Sequence, residues 1–249
     1  MSQQIIPSSS QAHGAFDGGR IQERKPIGFP QDGGLITPYS TLFYWAHAWS
    51  KEGGMIGEHP HKGFEIMSVV LSGEIEHYDS QLKGWKKLVA GDVQLIRSGS
   101  GITHAEKISK DSSIFQIWFD PDLNKTLRKS ASYNDYSSSS LPVFSDTESS
   151  AKIIVGGTQV SMDAQVDYIQ EITFKVSNKT YPLNKESVYS FFVLEGTLSA
   201  NGKEVKKNDF VILRDEEELK LTEIFDGTKI FMIKTPLRPA YKTYSEMYL

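Results

Sequence analysis

Residues 70–75 read VLSGEI, and residues 193–198 read VLEGTL. Residues 91–96, GDVQLI, have a similar counterpart in residues 208–213, NDFVIL. In each half of the chain the two stretches are typical of a strand, a glycine turn, a second strand and a further turn into a third. The repeat therefore predicts one β-barrel unit that occurs twice.

Short runs rich in β-branched and aromatic residues make up most of the remaining chain, and few stretches have helical periodicity. We therefore predict an all-β fold class with two tandem jelly-roll-like β-barrels. The predicted strands are residues 42–48, 65–71, 74–78, 93–96 and 114–119 in the first half, and residues 168–176, 189–194, 197–200, 210–213 and 229–233 in the second half.

Residues 129–151, KSASYNDYSSSSLPVFSDTESSA, form a serine-rich stretch between the two repeats. Its apolar content is too low for an element of a hydrophobic core. We expect an N-terminal domain at residues 1–130, a linker at 131–150 and a C-terminal domain at 151–249. For the reasons given below, a metal site is expected in the N-terminal domain and none in the C-terminal domain.

Composition excludes several classes of function. The 249 residues carry 27 Lys plus Arg against 31 Asp plus Glu, so direct binding of nucleic acid is not expected. The chain has no cysteine, so histidines and carboxylates must carry any metal chemistry. Neither a signal-like N-terminus nor an apolar run of about 18 residues is present, which predicts a cytoplasmic protein without membrane partners.

Two pairs of residues have the pattern of a metal site. His59 and His61 are two positions apart, and His104 and Glu106 repeat that spacing after the glycine-rich bend SGSG at residues 98–101. In an extended strand such pairs project to one face. Two pairs on neighbouring strands would supply three nitrogens and one carboxylate oxygen, a set that suits Fe, Mn, Co, Ni or Zn.

The alternative is that these histidines lie on the surface near a glycine loop. We expect structural roles for the other histidines, namely His13, His47 and His77. Glu65 and Glu76 are candidates for carboxylates that orient an imidazole, with Glu76 expected in solvent. A pocket for a flat ligand could be lined by the apolar residues near the motif, which are Met55, Ile56, Phe64, Met67, Leu95 and Ile102.

The repeat also tests whether the second half has a metal site of its own. The spacing from the repeated stretches assigns to His59, His61, His104 and Glu106 the counterparts Pro182, Asn184, Leu221 and Glu223. No histidine follows His104 in the sequence. The C-terminal half is therefore expected to bind no metal in this way.

The motif residues resemble the pirin family of the cupin superfamily. The resemblance lies in HPHKGFEIMSVVLSGEIEHYDS at residues 59–80 and GDVQLIRSGSGITHAE at 91–106, and FQIW at 115–118 resembles the strand that follows. The general cupin pattern, Gly, five residues, His-x-His, then Glu, is met by Gly53, His59, His61 and Glu65.

The sequence departs from the general cupin pattern in three places, and the two that concern spacing are similar to pirins. Gly73 lies one residue further along, Arg97 replaces a common proline, and two extra residues precede His104. In pirins the carboxylate ligand lies two residues after the last histidine. The resemblance therefore implies Glu106, not Glu65, as the carboxylate ligand.

Pirins are two-barrel cupins that bind iron, and some have quercetin 2,3-dioxygenase activity. The resemblance thus implies one divalent transition metal, with Fe(II) favoured over Mn, Co, Ni or Zn. The leading hypothesis is a metal-dependent dioxygenase that opens a flavonol ring with O2, in which Glu106 is both ligand and catalytic base.

Two alternatives remain open at this point. The eukaryotic pirin is implicated in transcriptional regulation, so the chain could be a non-catalytic metal-binding regulatory or redox-sensing protein that acts through a protein partner. The site could also act on a different small molecule, since a fold does not determine a function.

Overall fold

A computed structural model describes residues 3–249 of the chain, and its regular structure is almost entirely strand. The predicted all-β fold class is confirmed. In chain order the strands are β1 (Gln3–Ile6), β2 (Ala12–Phe16), β3 (Ile21–Ile27), β4 (Leu42–Ser50), β5 (Gly54–His61), β6 (Glu65–Ser72), β7 (Glu74–Asp79), β8 (Trp85–Val89), β9 (Val93–Arg97), β10 (Ile102–Ile108), β11 (Ser112–Phe119), β12 (Ser132–Tyr136), β13 (Val143–Ser145), β14 (Ser149–Val155), β15 (Tyr168–Phe174), β16 (Lys179–Pro182), β17 (Ser187–Glu195), β18 (Thr197–Ala200), β19 (Lys203–Lys206), β20 (Phe210–Leu213), β21 (Glu218–Thr222) and β22 (Lys229–Pro236).

Helices are few and short. The α-helices are α1 (Leu123–Thr126) and α2 (Tyr244–Tyr248), and 3-10 turns occur at Ser8–Ser10, Asp17–Gly19, Pro30–Asp32 and Ser138–Ser140. Within residues 3–249 no helix has the length and apolar character needed to cross a bilayer. The cytoplasmic location stays a prediction.

The described residues divide into two compact units, each built from a seven-stranded and a four-stranded sheet. The first barrel comprises residues 11–140, 162–164 and 241–249, with sheet orders β12-β9-β6-β11-β4-β3-β2 and β5-β10-β7-β8. The second barrel comprises residues 3–10, 141–161 and 165–240, with sheet orders β1-β20-β17-β22-β15-β14-β13 and β16-β21-β18-β19. The two units therefore repeat one topology, in which β6 corresponds to β17, β9 to β20, β10 to β21 and β11 to β22.

One strand of each seven-stranded sheet lies at the edge beside β9 or its counterpart β20. In the first barrel this strand is β12, which pairs with β9 and lies within the predicted linker at residues 131–150. In the second barrel it is β1, with Ile6 opposite Phe210. The predicted domain boundaries stay a prediction, and β1 is a strand of the second barrel.

The repeated glycine ends a strand at the same place in each barrel. Gly73 joins β6 to β7 with φ of 67°, and Gly196 joins β17 to β18 with φ of 82°. A side chain would be strained at these positive φ values. A Cβ atom would also overlap the side chain of Ser112 at Gly73 and that of Thr228 at Gly196. Both the backbone conformation and the close approach therefore require glycine.

The interiors of the barrels differ in polarity. The second barrel is filled by one continuous apolar cluster that includes Phe174, Phe191, Val211, Leu221 and Met232. The first barrel has several smaller apolar clusters and a set of polar side chains that are at most 1% exposed. Among these buried polar residues are Ser68, His77, Asp79, Gln94, His104 and Glu106.

Candidate metal centre

Strands β5 and β10 carry the candidate ligands as neighbours in the four-stranded sheet of the first barrel. In their ladder His104 lies opposite His59, and Ile102 lies opposite His61. Side chains alternate along a strand, so His59 and His61 project from the same face of β5. The register shifts between His104 and Glu106, which marks a bulge of the type that re-aims side chains at sites.

The imidazoles of His59, His61 and His104, here called the histidine triad, converge through their Nε2 atoms. The Nε2 atom of His104 lies 2.8 Å from that of His61 and 3.0 Å from that of His59. The Nδ1–H of His59 donates to the carbonyl of Gly57 at 2.8 Å, so its Nε2 presents a lone pair. The triad forms a group that could hold a metal ion.

Burial keeps two members of the triad neutral. It lowers the pKa of His61 to about 3, and the neighbouring rings of His104 and His59 act in the same direction. Burial likewise lowers the pKa of His104 to about 3, helped by His59 and His77. At neutral pH these rings therefore present lone pairs. A divalent ion can accept three lone pairs at once, which one shared proton cannot do, so the donor set fits a metal.

Glu106 adjoins the triad through His104, two residues before it on β10. Its side chain is 1% exposed, and its Oε2 accepts a hydrogen bond of 2.7 Å from the Nε2 of Gln116. Ser68 donates to the other carboxylate oxygen at 3.4 Å. Glu106 groups with His104 and His77 in a second possible metal cluster, and the histidine triad groups without it. Neither of these two groups contains all four candidate ligands, and His104 is common to both.

The triad is reached from a cavity of about 540 Å³. The cavity is lined by Pro60, His61, Lys62, Ser80, Gly101, Ile102 and Thr103. Its volume is in the range of pockets that hold drug-sized ligands. His61 is the one triad member in this lining, so a small molecule in the cavity would meet the site at His61.

A group of rings, here called the aromatic cluster, lies beside the triad. It consists of Phe29, Phe43, Tyr44, Phe64 and Trp118, whose ring centroids lie 4.4 to 6.4 Å apart in successive pairs. The indole of Trp118 meets the ring of His61 edge-on at 4.7 Å. Of the predicted pocket residues, Ile102 lines the cavity and Phe64 lies in this cluster, whereas Met67 and Leu95 are fully buried core residues.

Residues 35–119, which contain the whole candidate site, match the protein-family model described as Pirin. A pirin-like protein of Caulobacter vibrioides is 29% identical over 183 residues, which make up 70% of this chain and 75% of that relative. Residues 35–119 are therefore similar to the pirin family.

Solved structures are similar to the chain at the level of the fold. A structure of quercetin 2,3-dioxygenase from Acinetobacter baumannii has a TM-score of 0.79 at 20% identity, and the match covers 95% of this chain and 79% of that one. The bacterial pirin YhhW from Escherichia coli, in complex with nickel(II), has a TM-score of 0.74 at 19% identity, with 94% and 99% covered. At these identities the likeness shows the two-barrel fold alone.

His77 has a place in this candidate site that the sequence analysis did not assign. It is fully buried on β7 opposite Glu106, and its ring lies 5.5 Å from that of His104. Its Nε2 lies 2.9 Å from a carboxylate oxygen of Asp79, and Tyr133 stacks on its face. The available signal was the spacing of His77 and Asp79, which equals that of the two ligand pairs.

The other histidines lie apart from the metal centre. His13 is exposed on β2, and the ring of His47 packs against Trp49 and Phe115. Neither belongs to a possible metal group among the described residues. These positions agree with the structural roles that were expected.

The expectation that Glu65 could orient an imidazole is wrong. Its two carboxylate oxygens accept the backbone N–H groups of Asp163 and Ala164 at 2.9 and 2.7 Å, and Arg97 lies 3.4 Å away. Burial raises the pKa of Glu65, and the two backbone hydrogen bonds oppose that shift. Glu65 therefore attaches residues 162–164 to the first barrel. Glu76 pairs with Lys107 at the surface, where it was expected.

The strand register gives the candidate ligands other counterparts in the second barrel than the spacing of the sequence repeat does. Glu106 lies opposite His77, and Ala200, the counterpart of His77, lies opposite Leu221. Leu221, not Glu223, is therefore the counterpart of Glu106. Extending the ladder along β21 and β16 assigns the counterparts of the four candidate ligands as Tyr181, Leu183, Leu219 and Leu221.

The earlier mapping was wrong by one or two residues because the barrels differ in length here. Twelve residues separate Asp92 from His104, whereas ten separate Asp209 from Leu219. The remaining offset arises because twelve residues separate His61 from Gly73, whereas thirteen separate Leu183 from Gly196. At each corrected position the second barrel has an apolar or phenolic side chain that packs in its core. The absence of a metal from this barrel stays a prediction.

Proposed function

We propose that the chain is a metal-dependent dioxygenase of the pirin type, which opens the ring of a flavonol such as quercetin with O2. The observation that carries the proposal is the convergence of three imidazole Nε2 atoms beside a buried carboxylate and an open cavity. The matched structure named quercetin 2,3-dioxygenase supports the choice of substrate class.

We assign the metal ligands to His59, His61, His104 and Glu106. These residues would hold a divalent ion through three imidazole nitrogens and one carboxylate oxygen, a donor set that suits Fe, Mn, Co, Ni or Zn. Fe(II) is the first choice. The nickel in the matched E. coli pirin is consistent with a divalent ion.

When bound, the ion would act as a Lewis acid that lowers the pKa of a coordinated substrate hydroxyl. Glu106 would accept the hydroxyl proton, because it adjoins His104 and its carboxylate is held by Gln116. The cavity at His61 would admit the substrate, and Ile102 would contact its flat rings. Burial of His104 and Glu106 would keep water from the reacting groups.

Elemental analysis of protein prepared without chelator, combined with an aerobic assay of quercetin loss on the same sample, tests the proposal. About one transition metal per chain, with turnover that stops on chelation, is the expected result. Metal without turnover would reject the dioxygenase and favour the regulatory or redox-sensing alternative. A preparation that binds neither iron nor another divalent ion after reloading would reject the metal centre itself.

A further inference from the structure

We infer that Gln116 and Trp118 are a positioning pair that fixes the rotation of the Glu106 carboxylate. The inference rests on the proposed role of Glu106 as a metal ligand and base. Both residues lie on β11, two positions apart on one face, and neither is among the candidate ligands.

The hydrogen bonds run in one direction from the indole to the carboxylate. Trp118 Nε1–H donates to the Oε1 of Gln116 at 3.4 Å, and the Nε2 of Gln116 donates to Glu106 at 2.7 Å. An indole N–H can only donate, and an ionised carboxylate can only accept. If the amide of Gln116 were flipped, its NH2 group would face the indole N–H of Trp118, and its oxygen would face the carboxylate of Glu106. Trp118 and Glu106 thus select the same orientation of Gln116.

The indole itself is held by the aromatic cluster. Its ring lies 5.4 Å from Phe29, 5.3 Å from Tyr44 and 5.8 Å from Phe64, and it meets His61 edge-on. Trp118 therefore contacts one candidate ligand directly and reaches a second through Gln116. Movement of the indole would disturb both His61 and Glu106.

The second barrel shows that this pair is not needed to fold a barrel of this topology. Gln116 lies opposite Ser68 in its ladder, and the residue in the corresponding place opposite Phe191 is Met232. Met232 is buried in the apolar core and is similar to glutamine in size. The substitution Gln116→Met therefore removes the donor and keeps the volume that the topology accepts.

The experiment measures cobalt(II) binding and quercetin turnover in wild type, Gln116→Met, Trp118→Phe and the double variant. Residues that orient a ligand typically change metal affinity or activity by about 10- to 100-fold when replaced. We expect Gln116→Met to weaken cobalt binding at least about tenfold and to alter the visible spectrum of the cobalt protein. In the turnover assay we expect kcat to fall, with a smaller change in KM. Trp118→Phe keeps an aromatic ring but removes the indole N–H, and it should give a smaller change in the same direction.

The double variant distinguishes positioning from general damage. If Trp118 acts through Gln116, Trp118→Phe should add less than about a twofold change in the Gln116→Met background. The matched control is Ile117→Val, because Ile117 is fully buried on the opposite face of the same strand. It should leave the cobalt affinity unchanged, and melting of each metal-free variant checks that the protein is folded.

Two outcomes would overturn the positioning pair. The first is a folded Gln116→Met variant with wild-type cobalt affinity, cobalt spectrum and kcat, and the second is a double variant in which the two single effects multiply. Failure of the proposed function would look different, because wild-type protein would then bind no cobalt or would turn over no quercetin with any metal.

Discussion

The two barrels share their sheet orders and their turn glycines, yet one has a polar layer inside and the other does not. The layer of the first barrel consists of Ser68, His77, Gln94, Glu106 and Gln116. The same ladder positions of the second barrel hold, in that order, Phe191, Ala200, Val211, Leu221 and Met232. All five residues of the second set belong to the apolar core. The topology therefore tolerates either interior, and the polar one must serve another purpose than folding.

Three buried atoms in and beside the polar layer have no hydrogen-bond partner within the protein. They are the Nδ1 atoms of His77 and His104 and the Oε1 of Gln94. A buried polar atom that finds no partner at all costs about 1–3 kcal/mol. Because the second barrel shows a folded solution without these groups, their presence supports a functional role for the layer.

The largest expected effect comes from giving the first barrel the second barrel's residue at a ligand position. His104→Leu introduces the residue found at the corresponding Leu219 and removes the imidazole common to both possible metal groups. We expect metal content to fall below about 0.1 per chain, because a transition ion needs this nitrogen. Elemental analysis measures the loss.

The control for His104→Leu is His13→Leu, because His13 is exposed and lies outside the metal groups. It should retain metal at the wild-type level. Melting of the metal-free His104→Leu protein should occur at or above the wild-type temperature, since an unpaired buried nitrogen is removed. Wild-type metal content in a folded His104→Leu variant would contradict the assigned ligand set.

The reverse exchange should break the second barrel. Phe191→Ser introduces the residue that the first barrel has at Ser68, in a position that is fully buried among apolar side chains. We expect the free energy of unfolding of the second barrel to fall by about 3–5 kcal/mol, the range for removing a buried aromatic ring. Urea unfolding followed by fluorescence measures the change. A loss below about 1 kcal/mol would show that the interior of the second barrel also tolerates a polar side chain. The metal content of the variant should stay at the wild-type level.

The dependence of stability on pH also sharpens the comparison. His61 and His104 have pKa values of about 3 in the folded metal-free protein against an ordinary value of about 6.5. Because the unfolded chain binds these protons first, stability is full above pH 6.5 and is lost as the pH falls toward 3. At pH 5 each histidine should lower the free energy of unfolding by about 2 kcal/mol.

Urea unfolding in the presence of chelator at pH 7, 6 and 5 measures this dependence. The variant His61→Leu/His104→Leu serves as the control, and it should lose most of the dependence in that window. The second barrel has no histidine, so its transition should change less than that of the first barrel. Equal pH dependence in wild type and in the double variant would argue against buried neutral imidazoles.

Local patterns in the sequence were enough to predict the fold class and the candidate ligands. The repeated glycine turns at Gly73 and Gly196 indicated duplicated barrels, and the spacing of His59 with His61 placed both rings on one face. These features depend on residues close together in sequence, where strand periodicity and turn chemistry are informative.

Features that depend on distant pairing were missed or misplaced. Glu65 accepts hydrogen bonds from residues 98 and 99 positions away, so its spacing within the motif gave no sign of that role. The segments before His104 and after His61 differ in length from those of the second barrel, so spacing along the sequence misplaced the counterparts there. The motif FQIW gives no sign of the role of Gln116, since its contact with Glu106 depends on how β10 and β11 come together inside the barrel.

The position of β1 has a consequence for the order of events during synthesis. Ile6 pairs with Phe210, which the ribosome adds about 200 residues later. At about 5–20 residues per second, β1 waits roughly 10–40 s for its partner. The first barrel can assemble its sheets in that interval, whereas the second must recruit a strand made before any of its others. A bulky fusion placed next to residue 3 would therefore delay or block the completion of the second barrel and leave the edge of β20 open to strands of other chains.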